Sequence, residues 1–289
     1  MALPFHDRDG FIWMDGKLEP WREANVHVLT HALHYASSVF EGLRCYDGKI
    51  FKLREHSLRL IKSAEILGFS IPYSVEEIDA ACNAAVAAQN IKDGYVRPLA
   101  WRGSEQMGII ARNCKIHLAV AAWEWPTYFT PEQKAKGIVL KTGPWRRPAP
   151  DCAPVHSKAA GLYMISTLSK HWAEDNGADD VLMLDYRGHV AEGSGANLFL
   201  VKDGKLHTPI ADCFLNGITR QTVMALAREA GIEVVERHIM FDEISSFSEA
   251  FFTGTAAEIT PIGLINDHKL PPGQMVDKIT ALYSKATRG

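Results

Sequence analysis

Phe11-Ile12-Trp13-Met14-Asp15-Gly16-Lys17-Leu18 decides the class of fold, because two short runs with apolar residues meet at an Asp-Gly pair. Asp-Gly suits a two-residue turn with both central residues at positive φ, whose twist matches antiparallel strands, so the stretch reads as a β-hairpin. The signal returns at Asp47-Gly48, between Leu43-Arg44-Cys45-Tyr46 and Ile50-Phe51, and at Asp203-Gly204, between Leu198-Phe199-Leu200-Val201 and Leu206-His207. Antiparallel strands are therefore expected in abundance. The apolar runs Tyr95 to Trp101 and Ile116 to Trp125 are too short for membrane spans and rich in aromatics and valine, and they read as core strands.

Helices fall between these strands. Leu58, Ile61, Ala64 and Leu67 recur at helical spacing, and Ser74 is placed to cap an alanine-rich helix beginning Val75-Glu76-Glu77-Ile78. Further along, the pattern predicts a helix from Gly161 to Asn176, a strand at Val181-Leu182-Met183-Leu184, a helix after Gly217 and a last helix after Pro271-Pro272. The class is α+β. A chain of 289 residues exceeds the usual limit of one hydrophobic core, so two domains are expected. We place a small N-terminal α/β domain at 1–130, a connection at 131–150 and a larger domain at 151–289. The boundary rests on the proline cluster between Pro144 and Pro154, which can continue neither a helix nor a central strand.

Hydrophobic residues form 47% of the chain and charged residues 22%, enough for a sizeable core. With 31 basic against 34 acidic residues and no run of like charge, neither a nucleic-acid footprint nor a polybasic membrane patch is visible, and small-molecule chemistry fits better. The N-terminal stretch from Met1 to Asp9 has no basic region followed by an apolar one, and nowhere do about 18 apolar residues run together, so a cytoplasmic protein is expected. Cys45, Cys82, Cys114, Cys152 and Cys213 are odd in number, widely spaced and without a CxxC pair. They read as reduced, packed thiols, and no metal site is expected.

Several spots carry possible chemistry. Lys158 sits among small and apolar residues in Val155-His156-Ser157-Lys158-Ala159-Ala160-Gly161, where burial would lower its pKa and free a nucleophilic amine; the plain alternative is a solvated surface lysine. Gly217-Ile218-Thr219 before a helix offers backbone N–H groups and a hydroxyl at the positive end of a dipole, suited to phosphate, and Gly254-Thr255-Ala256 is a second candidate cradle. Either could equally be an ordinary glycine turn. Glu192 is a lone carboxylate followed by Gly193-Ser194-Gly195-Ala196, small residues over which a flat ring can approach. Tyr35, Phe40, Tyr95, Trp125, Tyr128 and Tyr163 are either core filler or pocket walls.

Taken together and in order, these spots resemble the fold-type IV pyridoxal-phosphate enzymes, most closely the branched-chain amino-acid aminotransferases. The resemblance is carried by His31-Ala32-Leu33-His34-Tyr35 with Ser38-Val39-Phe40-Glu41-Gly42, by Arg54-Glu55-His56 with Arg59, and by Tyr95-Val96-Arg97-Pro98-Leu99. It continues through Lys158-Ala159-Ala160-Gly161 with Tyr163, Glu192 to Phe199, Leu215 with Gly217-Ile218-Thr219-Arg220, and Gly254 to Pro261. It implies a two-domain fold like that of D-amino-acid aminotransferase, with a β-barrel-like core in the larger, cofactor-binding domain.

It also implies roles. Lys158 would carry pyridoxal 5'-phosphate as a Schiff base and shuttle the proton, Glu192 would bond the pyridine nitrogen, and Tyr163 the 3′-oxygen. Arg59, the backbone of Ile218 and Thr219, and the Thr255 hydroxyl would hold the phosphate. Tyr95, with Arg97 bonded to it, and the turn Thr255-Ala256 would take the substrate α-carboxylate, and Arg44 the distal carboxylate of glutamate. Phe40, Gly42, Trp125, Tyr128, Tyr163 and a neighbouring subunit's Tyr35 would line the side-chain pocket, which implies a homodimer or larger homo-oligomer. The partners implied are amino acids and 2-oxo acids, with neither nucleic acid nor membrane. Within the fold type, D-amino-acid aminotransferase and aminodeoxychorismate lyase stay open, as more remotely does a non-catalytic cofactor-binding protein. The chain departs from the family at His156-Ser157, where alanine and threonine are more usual.

Overall fold

The computed structural model describes residues 4–125 and 130–289. The chain divides into two units, Met1–Pro126 with Ser157–Gly161, and Thr127–His156 with Leu162–Gly289. Among the described residues no helix is long and apolar enough to cross a membrane.

The first unit runs β1 (Phe11–Met14), β2 (Lys17–Pro20), α1 (His31–Tyr35), β3 (Ser38–Phe40), β4 (Leu43–Tyr46), β5 (Lys49–Ile50), α2 (Leu53–Ile66), α3 (Val75–Ala88), β6 (Gly94–Arg102) and β7 (Ile116–Glu124). The strands form one sheet in the order β2-β1-β7-β6-β4-β5, with β3 also on β6. Both Asp-Gly hairpins close as expected, with Met14 opposite Lys17 and Tyr46 opposite Lys49. Asp15, Gly16, Asp47 and Gly48 all have positive φ, which is what the tight turn demands. The two apolar runs pair along their whole length, from Gly94 opposite Glu124 to Arg102 opposite Ile116. Leu60 and Ala64 of α2 and Ile78, Ala81 and Ala85 of α3 join Val39, Leu43, Val96, Leu118 and Val120 of the sheet in one core.

Two local details bear on the site. Ser74 caps α3 through a reciprocal box with Glu77. In α2 the expected apolar spacing finds the helix and places Ile61, Ala64 and Leu67 against the core, but Leu58 is 51% exposed, while the polar His56, Ser57 and Ser63 are buried with Leu60. Polar side chains tolerate burial there because each has a partner, such as Ser57 on Asp79 and His56 on Glu41.

The second unit runs α4 (Pro131–Lys136), β8 (Ile138–Thr142), α5 (Tyr163–Asp175), β9 (Asp180–Leu184), β10 (Val190–Glu192), β11 (Asn197–Lys202), β12 (Lys205–Pro209) and α6 (Ile218–Glu229). It continues with β13 (Val234–Arg237), β14 (Glu249–Gly254), β15 (Glu258–Ile265), β16 (His268–Lys269) and α7 (Gln274–Arg288). Pairing passes from β10 through β9, β8, β15, β14 and β11 and returns to β10, which closes a barrel. Alternate residues along the strands, such as Leu198 and Leu200 or Ala250 and Phe252, share one face and pack with Leu140, Leu182, Val190 and Ile262 in its core. The third Asp-Gly hairpin joins β11 to β12, with Lys202 opposite Lys205.

The domain boundaries differ from those read in the sequence. Residues 131–150 were expected to connect, but β8 lies among them and pairs in parallel with β9 and β15, so they belong to the barrel. Conversely, Lys158 lies in a five-residue excursion that groups with the first unit: Ala159 bridges to Val39, and the Phe40 N–H donates to the Lys158 carbonyl at 3.2 Å. Four cysteines are buried, whereas Cys152 is exposed because it sits in the turn-rich proline segment rather than in a core.

Candidate active site

Within the first unit, Lys158 is held from both sides of its backbone. Its N–H donates to Ser63 Oγ at 3.0 Å, and the Ser157 hydroxyl donates to the Ser63 carbonyl at 2.9 Å. Ser157, half of the departure from the family pattern, thus ties the lysine to α2, while His156 is exposed. The ammonium of Lys158 lies 5.0 Å from the centroid of the Phe40 ring, and the Arg97 guanidinium lies 4.7 Å from the same ring. Both distances fit a cation on an aromatic face.

Arg97 donates from Nη2 to Tyr95 Oη at 3.1 Å. The hydroxyl fits because residue 42 is glycine: a Cβ there would stand 1.8 Å from it. Trp125 packs on Tyr95 at 5.5 Å between ring centroids, and Arg44 is buried opposite Tyr95 in the β4–β6 register. Phe40, Gly42, Arg44, Tyr95, Arg97, Trp125 and Lys158 are therefore gathered in one unit.

Arg59, one turn beyond His56 on α2, is clasped by Glu41: Nε donates to Oε1 at 2.6 Å and Nη2 to Oε2 at 2.8 Å. His56 Nδ1 lies 2.6 Å from Oε2. Burial works to raise the Glu41 carboxyl, but Arg59 and then His56 outweigh it and hold it well below the usual carboxylate range. Burial pushes the His56 imidazole down, against the pull of Glu41, and the charges of Arg59 and Lys158 add to the push. Tyr35 stands apart on α1, 45% exposed and stacked on His31 at 4.6 Å. Tyr128 lies outside the described residues.

The second unit gathers another set around Glu192, buried at the end of β10. Arg147 Nε lies 2.9 Å from Oε1, and Asn197 Nδ2 donates to Oε2 at 2.9 Å. Arg147 also donates from Nη2 to Ser166 Oγ at 3.1 Å and to the carbonyls of Gly193 and Ser194 at 3.3 and 3.2 Å. Gly193 is required by a close approach, since a Cβ would meet the Phe252 ring at 2.6 Å. Asn197 reaches on to the α6 entrance, where its Oδ1 accepts the Gly217 N–H at 3.1 Å and its Nδ2 donates to the Leu215 carbonyl at 3.1 Å.

Ile218 and Thr219 form the first turn of α6, whose cap, Gly217, supplies no side-chain acceptor. Amide donors at such a terminus suit an anion. Thr255 and Ala256 occupy the β14–β15 turn, beside Gly254, which lies against Ala196. Tyr163 opens α5 and is half-buried.

Four residues of these sets escaped the sequence reading. Arg147 was read as part of a linker, and its signal would have been that a lone buried carboxylate such as Glu192 requires a cation. Glu41, His56 and Asn197 stood inside quoted motifs without a role, and their pairing spans sequence separations that no spacing rule covers. The one cluster with metal-ligand types among the described residues is Asp185, Asp212 and Cys213, and Arg187 bridges its two carboxylates at 2.6 and 2.9 Å.

Residues 38–265 match the family model described as amino-transferase class IV. The chain is 44% identical to the branched-chain-amino-acid aminotransferase of Pseudomonas aeruginosa, over 98% of this chain and 94% of that one. Among solved structures, the branched-chain amino acid aminotransferase of Escherichia coli superposes with a TM-score of 0.94 at 36% identity, covering 98% of this chain and 96% of that one. The T.th. branched-chain amino acid aminotransferase complexed with N-(5'-phosphopyridoxyl)-L-glutamate gives a TM-score of 0.92 at 38% identity, covering 97% and 95%. With its closed barrel, its Lys158 and Glu192 settings and these matches over nearly its whole length, the chain belongs to the class IV aminotransferases and has the fold of type IV.

Proposed function

We propose that the chain transfers amino groups between L-leucine, L-isoleucine or L-valine and 2-oxoglutarate, using pyridoxal 5'-phosphate and yielding branched-chain 2-oxo acids and L-glutamate. The observation that carries the cofactor assignment is Glu192, a buried carboxylate fixed on one oxygen by Arg147 and on the other by Asn197. Such an anion suits a protonated pyridine nitrogen, and the glycines around it leave room for a flat ring. The α6 amide donors suit a phosphate. The phosphopyridoxyl-glutamate adduct in the T.th. relative supports both the cofactor and the second substrate.

When bound, the cofactor ring withdraws electrons from the substrate Cα as its proton leaves. Lys158 would hold the cofactor through its aldehyde carbon and, once released by the incoming substrate amine, its free amino group would take and return the proton at the substrate Cα. Glu192 keeps the pyridine nitrogen protonated. Arg59, the N–H groups of Ile218 and Thr219, and the Thr255 hydroxyl hold the phosphate, and Tyr163 bonds the 3′-oxygen. Tyr95, oriented by Arg97, and the Thr255-Ala256 turn take the α-carboxylate. Phe40, Gly42, Trp125 and Tyr128 accept an aliphatic side chain, and Arg44 meets the distal carboxylate of glutamate.

The enzyme works as a cytoplasmic homodimer in which Tyr35 serves the neighbouring subunit's pocket. The support is the apolar exposure of the first unit, where Val28 is 70%, Leu33 63%, Ile109 88% and Ile110 76% accessible, surface that a second copy would cover. A panel of 2-oxo acids offered with L-glutamate tests the reaction. The branched-chain oxo acids are expected to be consumed fastest, and a panel in which they are not consumed would reject the assignment.

A further inference from the structure

Glu41 is fully buried, with no accessible surface at all, at the start of the turn between β3 and β4. Its carboxylate is nonetheless saturated. Arg59 donates from Nε at 2.6 Å and from Nη2 at 2.8 Å, His56 Nδ1 lies at 2.6 Å, and the Gly42 N–H donates at 3.3 Å. His56 and Arg59 sit three residues apart on α2 and so present to one face. Facing a carboxylate oxygen at 2.6 Å, His56 Nδ1 is the donor, and the Arg59 guanidinium offsets the charge of Glu41.

A buried ion pair is weak evidence for stability, since well-packed apolar groups of the same volume often serve the fold as well. What it supplies is direction. A carboxylate bonded to both Nε and Nη2 fixes the plane of a guanidinium that would otherwise turn about several bonds. We propose that Glu41 is a positioning residue that presets Arg59 for the cofactor phosphate, with His56 holding the carboxylate in turn. The proposal rests on the reading of Arg59 as a phosphate-binding residue. A purely structural Glu41 would affect every ligand of the site alike, whereas a positioning Glu41 acts on the phosphate alone.

The test is titration of the apoenzyme with pyridoxal phosphate and with pyridoxal, followed by absorbance, with inorganic phosphate as a competitor. Glu41→Gln keeps the shape but loses the charge and turns an amide N–H₂ toward Arg59. The ratio of pyridoxal phosphate affinity to pyridoxal affinity is expected to fall about tenfold, the scale of one hydrogen bond to a charged group, with pyridoxal affinity little changed and phosphate a weaker competitor. Arg59→Gln sets the full size of the effect, and the double variant should fall no further than Arg59→Gln. A ratio lost in Arg59→Gln but kept in Glu41→Gln overturns the proposal alone. A ratio kept in Arg59→Gln overturns it together with the reading of Arg59. Should Glu41→Gln fail to fold, Glu41→Asp keeps the charge and shortens the fork: a lowered ratio supports the proposal and an unchanged one overturns it.

Discussion

Single side chains carry the sharpest consequences. Gly42→Ala places a methyl where the Tyr95 hydroxyl lies, so Tyr95 must move. The expected result is a raised KM for the amino acid and a loss of about 1–3 kcal/mol in stability, measured by initial rates and urea unfolding. Arg147→Met removes the guanidinium that lies 2.9 Å from the buried Glu192 carboxylate. Removing one member of a buried pair costs about 3–5 kcal/mol, and weaker retention of the cofactor on dialysis should accompany it. The Glu41–His56 pair makes stability pH-dependent. The folded values of both lie below their ordinary 4.5 and 6.5, so the unfolded chain takes up protons first as pH falls. Stability contributed by His56 is complete above pH 6.5 and lost as pH falls through and below it; that from Glu41 is complete above 4.5 and lost below. Urea midpoints of the wild type should therefore decline from near pH 6.5 and more steeply below 4.5, and His56→Gln should lose the upper part of that decline.

At the level of elements, local chemistry made most of the framework legible. The three Asp-Gly turns, the Ser74 cap and the two long apolar strands each depend on neighbours in sequence, and each appears where its signal stands. Ser74→Ala should cost about 1 kcal/mol in thermal or urea unfolding and leave turnover unchanged, since α3 carries no site residue. What stayed hidden depends on pairing across the chain. β8 has no turn signal that ties it to the barrel, and only its parallel neighbours β9 and β15 reveal its place. On α2 the apolar spacing marks the core contacts of Ile61, Ala64 and Leu67, but it also includes the exposed Leu58 and gives no sign that Ser63, His56 and Ser57 are buried, since they bond to residues far away in sequence. The candidate site divides the same way: Lys158, Glu192, Arg59 and Tyr95 stand in motifs, but Glu41, Arg147 and Asn197, whose bonds fix Arg59 and Glu192, do not announce themselves.

For the whole molecule, the proposed homodimer has a direct consequence. If Tyr35 serves the neighbouring subunit, mixing Lys158→Ala subunits with Tyr35→Ala subunits rebuilds one complete pocket per hybrid dimer, and activity should exceed that of either variant alone. No gain on mixing, in a preparation shown to exchange subunits, would return Tyr35 to its own chain's site. The central claim is that this chain binds pyridoxal phosphate through Lys158 and accepts amino groups from branched-chain L-amino acids. It is tested most directly by adding single amino acids, without any oxo acid, to the loaded enzyme and following the absorbance of the bound cofactor. L-leucine, L-isoleucine, L-valine and L-glutamate are expected to bleach it in the wild type, and Lys158→Ala should lack both the starting absorbance and the response. A response to D-alanine alone, or full activity in Lys158→Ala, would contradict the account.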